Sequence, residues 1–171
     1  DLAKHPNEAN RFGWIVEVDP FSPDEPPRKH TAMGRFKHEG ANVIVSRTGQ
    51  VAAYMGDDER FEYLYKFVSE KKYRPGDRRH NLTLLESGTL YVARLRGDSP
   101  AAEIDGTGRL PSDGRFDGTG TWIKLVAGNR SFVPGMTAVE VLTFARLAGD
   151  AVGATKMDRP EDVQPSLRTG K

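Results

Sequence analysis

Two acidic turns, separated by a single hairpin, hold the residues of this sequence best suited to chemistry. The first is Gly34-Arg35-Phe36-Lys37-His38-Glu39-Gly40 and the second is Met55-Gly56-Asp57-Asp58-Glu59-Arg60. Between them run two short apolar stretches, Ala41 to Ser46 and Val51 to Met55, joined by the turn Arg47-Thr48-Gly49-Gln50. An antiparallel pair of this kind brings the chain back to the end where it began, so Glu39 is expected beside Asp57, Asp58 and Glu59. Carboxylates gathered at one sheet edge repel one another unless cations neutralise them, and hard cations such as calcium prefer oxygen ligands. The pattern points to a metal site. Its rival is a solvated hairpin, because Asp and Gly also suit tight turns for purely conformational reasons. His38 is the strand neighbour of Glu39 and points to the opposite face, which favours a structural hydrogen bond over metal ligation.

The elements that must position these turns are mostly strands. Gly13 to Asp19 alternates and ends in a Pro-rich turn, and Thr31 to Phe36 is expected as a short strand leading into the first acidic turn. Phe61 to Val68 follows the second turn with aromatics at alternate places, a strongly β-prone pattern best explained by packing. The strand pattern resumes at Gly88 to Leu95 and again at Thr121 to Val126. Residues 69–87 and 96–120 are charged or rich in Gly, Asp and Ser, and are expected as long loops or insertions. One short helix is predicted near 137–147, where Thr137 and Glu140 form a capping box.

An internal echo organises the strands. Gly13 to Val18 and Gly88 to Ala93 are both Gly-led alternating strands, and Lys37-His38-Glu39-Gly40 finds a counterpart in Asp158-Arg159-Pro160-Glu161-Asp162. Repeated four-stranded units with functional turns at equivalent places are the signature of a β-propeller. The expected fold is therefore all-β: a β-propeller or partial propeller of four-stranded antiparallel blades. Residues 1–171 would form a single domain, part of a larger propeller, with Glu39 and Glu161 in equivalent turns that both face the central channel from one end.

Composition narrows the function classes. The 171 residues include 25 Lys and Arg against 24 Asp and Glu, a net charge of +1 with no broad basic surplus for nucleic acid. No apolar run approaches the roughly 20 residues needed to span a bilayer. The absence of cysteine excludes disulfides, thiolate metal sites and a cysteine nucleophile within these residues. The polar start at Asp1 and the stop at Lys171 read as cuts within a longer protein.

Several segments together resemble the PhoX-type secreted bacterial alkaline phosphatases. They are Arg11 to Pro20, Gly34 to Ala41, Tyr54 to Tyr63, Gly88 to Arg94 and Met157 to Asp162, in the family's order and covering most of the chain outside the two excursions. The resemblance implies a β-propeller phosphatase that hydrolyses phosphate monoesters at a cluster of iron and calcium ions. It also implies export by the twin-arginine route to the periplasm or beyond the cell. On that footing Glu39 and Glu161 are the expected first metal ligands, Asp58 and Glu59 the next, and Asp57 and Asp158 supporting residues of the metal site. Arg60 or Arg159, each beside an acidic motif, would clamp the phosphoester substrate. The family also carries an upstream Thr-Cys-Glu-Glu type motif whose cysteine binds iron, and this sequence has none. The expectation is a partial catalytic centre, inactive alone, whose exposed strand edges favour self-association. Two other classes stay open: a calcium-dependent lactonase or esterase propeller, and a non-catalytic propeller scaffold.

Overall fold

The structure, a computed structural model, describes residues 3–166. Residues 1–2 and 167–171, on which the expectation of unfinished ends rests, lie outside the described residues.

Strands β1 (Ile15–Glu17) and β2 (Arg28–His30) form a separate antiparallel pair near the start of the chain. The segment from Thr31, expected as a strand, instead forms a short 3-10 turn over Thr31–Met33 that buries Met33 under the main sheet. The main sheet then begins with β3 (His38–Val45) and β4 (Gln50–Asp57), the predicted hairpin. Chain order continues with β5 (Arg60–Glu62), β6 (Leu64–Lys72), the one-turn helix α1 (Arg78–Asn81), β7 (Gly88–Gly97), β8 (Gly118–Ala127) and β9 (Arg130–Ser131). After these come helices α2 (Ala138–Thr143) and α3 (Ala145–Ala151) and the two-residue strand β10 (Met157–Asp158).

Strands β3, β4, β6, β7, β8 and β9 make one antiparallel sheet in that order. It thus has six strands where four were expected in a blade. Alternation decides its faces. Ala53 and Met55, Tyr65 and Phe67, Leu90 and Val92, and Leu125 point to one side and are buried there against Phe36, Val141, Ala145 and Ala148. The other face is half open and carries Tyr54, Lys66 and Tyr91 in register across three strands. Lys66 Nζ lies 4.4 Å from the centre of the Trp122 ring and 5.1 Å from that of Tyr91, so the rings shield its aliphatic stem and face its charge.

Two helices cover the buried face, where one was expected. Thr137 and Glu140 cap α2 reciprocally as predicted, Thr137 Oγ1 accepting from the Glu140 amide and Glu140 accepting from that of Thr137. Phe144 leaves helical geometry, at φ −121° and ψ 51°, and α3 starts afresh beyond it. The small residues Ala145, Ala148 and Gly149 let α3 approach closely: a Cβ on Gly149 would sit 2.7 Å from the Tyr63 ring.

The expected strand Phe61 to Val68 is broken at Tyr63. Phe61 takes φ +66°, and β5 leaves the main sheet to pair with β10, while β6 pairs with β4 and β7. Both excursions are shorter than expected, because β6 continues to Lys72 and the β7–β8 ladder extends to Gly97 and Gly118.

Candidate functional site

The β3–β4 hairpin places its two acidic turns at one end of the sheet, Glu39 opposite Gly56 and His38 opposite Asp57. Between Glu39 and Asn42 the register slips at Gly40, which has φ +63°. The segment that carries Glu161 returns to this same sheet end. Met157 pairs with Glu62 and Asp158 with Arg60, and the following residues cross the hairpin as a strap. A Cβ on Gly56 would lie 2.1 Å from the Glu161 carbonyl oxygen and 2.2 Å from that of Pro160, so only glycine admits the crossing. Asn42 Nδ2 donates to Val163 O at 2.7 Å and holds the strap's far side.

The two acidic motifs, 98 or more residues apart in sequence, meet through Arg159. One guanidinium nitrogen of Arg159 lies 2.8 Å from Asp58 Oδ1 and donates to Asp58 Oδ2 at 2.9 Å, while reaching Glu161 Oε1 at 3.3 Å. Asp58 Oδ1 is nonetheless buried with no hydrogen-bond partner, since that nitrogen approaches it off the angle a hydrogen bond needs. Arg159 has φ +56°, the left-handed region, and Phe61 shares that conformation in the same short ladder. Each such non-glycine residue costs on the order of 1–3 kcal/mol and persists where surrounding contacts impose it.

The other candidates sort by their partners. Glu39 is exposed on β3, directly beside the crossing strap. Glu59 pairs with Lys37 and accepts from the Arg60 amide, and the Lys37 hydrogen bond, more than any other contact, holds its carboxyl below the usual range. Asp158 is exposed. The guanidinium of Arg60 makes no ion pair among the described residues, and its side chain is exposed. Asp57 faces away from the others. It is fully buried, Arg146 grips it through Nε to Oδ2 at 2.7 Å and Nη2 to Oδ1 at 2.6 Å, and the Lys37 amide donates to Oδ1 at 3.2 Å. Both oxygens of Asp57 are thereby taken by protein donors. Arg146 also stands 3.6 Å from Glu62, whose carboxyl burial pushes upward. His38 Nε2 bonds the Gly34 carbonyl at 2.9 Å, and burial pushes its imidazole down to about 4.

Sequence reasoning missed Arg146. It lies 89 residues from Asp57 in a helix that carries no other sign of function, so no local pattern could connect them. A cleft of about 470 Å³ opens on the Arg146 side, lined in part by Lys37, Glu62, Phe144 and Asp150, but Asp58 and Arg159 do not line it.

The carboxylate oxygens of Asp58, Glu39 and Glu161 are the hard donors that calcium takes, and Asp58 Oδ1 is a buried acceptor without a hydrogen-bond partner. The residues thus fit such an ion. Among the described residues no three His, Asp or Glu side chains stand close enough to enclose a metal by themselves.

Comparison with known proteins assigns the class first. The chain superimposes on a solved β-propeller, and its antiparallel sheet is a portion of that fold. The profile described as alkaline phosphatase PhoX matches residues 1–171, and the chain belongs to that family. The solved structure is Pseudomonas fluorescens PhoX in complex with vanadate, a transition state analogue. It matches at 44% identity with a TM-score of 0.82 over 99% of this chain, and the chain spans 28% of that protein's length. No curated protein sequence matches.

Proposed function

We propose that the protein containing this chain hydrolyses phosphate monoesters, and that residues 1–171, one domain of a larger propeller, supply part of its metal and phosphate site. The observation that carries this reading is the meeting of Asp58 with Arg159 and Glu161 of a strap that only Gly56 admits. Membership of the PhoX family and likeness to a vanadate-bound relative support it.

On this reading Glu39, Asp58 and Glu161 hold the cations, calcium and iron, while Glu59 and Asp158 add negative charge around them. When bound, the metals supply dense positive charge for the phosphoryl oxygens and lower the pKa of a coordinated oxygen nucleophile. Arg159 is the phosphate clamp. Its fork of donors matches two phosphoryl oxygens, and its exposed head needs only to exchange Asp58 and Glu161 for the substrate. Arg60 is placed one ladder position away as the alternative clamp. Asp57 and Lys37 take no part in binding and hold the backbone from which Glu39 and Asp58 project.

The proposed location is the periplasm or the extracellular space after twin-arginine export. Among the described residues no helix is long and apolar enough to cross a membrane.

The test uses the full-length protein, purified without chelators, with elemental analysis beside a p-nitrophenyl phosphate assay. Glu39→Gln and Asp58→Asn are expected to lower bound calcium and abolish turnover without unfolding. Arg159→Met is expected to retain metal and to lose about 10²- to 10³-fold in kcat/KM, the usual cost of removing one donor to transition-state charge. Wild-type turnover in Glu39→Gln and Asp58→Asn removes the site from these residues.

A further inference from the structure

We infer that Arg146 is a positioning residue for the metal and phosphate site, acting through Asp57 and touching neither substrate nor metal. This inference rests on the proposed phosphatase reading of that site.

Asp57 stands where three chain segments must agree. It is the last residue of β4, its amide donates to the Tyr63 carbonyl just before β6, and its carboxylate accepts from the Lys37 amide just before β3. The Asp58 amide in turn donates to the Lys37 carbonyl. Lys37 precedes His38 and Glu39, and Asp57 precedes Asp58. One buried carboxylate therefore sets the backbone from which two proposed ligands project.

Arg146 sets that carboxylate. A guanidinium fork makes two parallel hydrogen bonds and so fixes the plane of the group it grips as well as its place. A single point charge would leave Asp57 free to rotate. The fork comes from α3, whose approach to the sheet is set by Ala145, Ala148 and Gly149 against the core, so the grip is anchored in the most buried part of the fold. Nothing else in the surroundings can replace it, because Lys37 is committed to Glu59 by its ammonium group and touches Asp57 only through its amide. A pair kept only for stability need not be a fork, and buried ion pairs are poor sources of net stability compared with apolar residues of equal volume. The fork is what orientation requires.

The test is calcium affinity of the full-length protein, measured by titration with calcium alone in chelator-buffered solution. It is read beside the unfolding midpoint and the split between kcat and KM. Arg146→Lys keeps the charge and removes the fork; it is expected to weaken calcium binding tenfold or more and to lower kcat more than it raises KM. Leu125→Ala, which opens a cavity in the same core on β8, is expected to lower the unfolding midpoint at least as much and to leave calcium affinity unchanged. Wild-type calcium affinity in Arg146→Lys, or an equal loss in Leu125→Ala, overturns the inference. If Arg146→Lys fails to accumulate, the double variant Asp57→Leu with Arg146→Met replaces the pair by apolar volume; wild-type calcium affinity there overturns it equally. Asp58→Asn separates the two claims. Unchanged calcium binding in that variant removes the phosphatase site itself, whereas weakened binding there with wild-type binding in Arg146→Lys removes only the positioning role.

Discussion

His38 and Asp57, adjacent across the β3–β4 ladder, show how burial sorts the ionisable residues of the acidic turns into those held by the fold and those open to solvent. Burial favours the neutral form of an imidazole, and His38 is pushed down to about 4 while its Nε2 meets the Gly34 carbonyl. The unfolded chain takes up that proton near the ordinary value of about 6.5. Above that value both states are neutral and the contribution to stability is whole. As pH falls from about 6.5 to about 4 the unfolded state binds the proton first, so stability is lost across that window, by about 3 kcal/mol if the shift is fully expressed. Denaturant midpoints measured from pH 7 to pH 4 are expected to fall more steeply for the native protein than for His38→Gln. Parallel curves would show that His38 does not titrate in the window.

Among the elements, the strap that follows α3 decides the site. It joins Met157 and Asp158 to β5 and passes over Gly56 with its carbonyl oxygens where a side chain would be. Those contacts are backbone atoms and cannot swing aside as a flexible side chain would. Gly56→Ala is expected to cost about 1–3 kcal/mol by overpacking and, because the strap carries Arg159 and Glu161, to lower phosphatase turnover in the full-length protein. Thermal unfolding and the p-nitrophenyl phosphate assay check the two effects, and an alanine variant with native stability and turnover would mean that the strap lifts freely. The left-handed backbone of Phe61 and Arg159 belongs to the same element: β5 must turn out of the main sheet to receive the strap, and the strain lies at that junction.

For the molecule as a whole, the chain spans 28% of the solved relative, and its described acidic residues do not enclose a metal unaided. Chain 1–171 alone is therefore expected to give turnover at background in the p-nitrophenyl phosphate assay at alkaline pH with calcium and iron added, beside an active full-length protein. Incomplete ligand sets hold ions weakly, and the loss of one cation disables the remaining ones because they act together. Turnover comparable to the parent would show that the site is complete within the chain. Strand β3 is an edge of the sheet, with Val43 53% and Val45 46% exposed. An unpaired apolar edge of this kind invites a second strand, so sedimentation of the isolated chain is expected to depend on concentration.

The hairpin, its acidic turns and the capped start of α2 were legible in the sequence because each rests on local physics. Alternation sets the faces of β3 and β4, Gly and Asp set the turns, and Thr137 with Glu140 satisfies its own helix end. The likeness of five ordered motifs to the PhoX family was legible for the same reason, since it is a property of the chain read in order. Tertiary structure alone decided which distant residues meet. The similarity between the Glu39 and Glu161 motifs suggested turns at one end of the channel, but the means, the break at Phe61 and the crossing over Gly56, appears only in the fold. The role of Asp57 was equally hidden. In sequence it is one of three consecutive acids; in the fold an arginine 89 residues away claims both its oxygens and turns it from its neighbours. Spacing along a chain reports periodicity and turns, whereas long-range ion pairs depend on how helices and straps pack on the finished sheet, which no local pattern encodes.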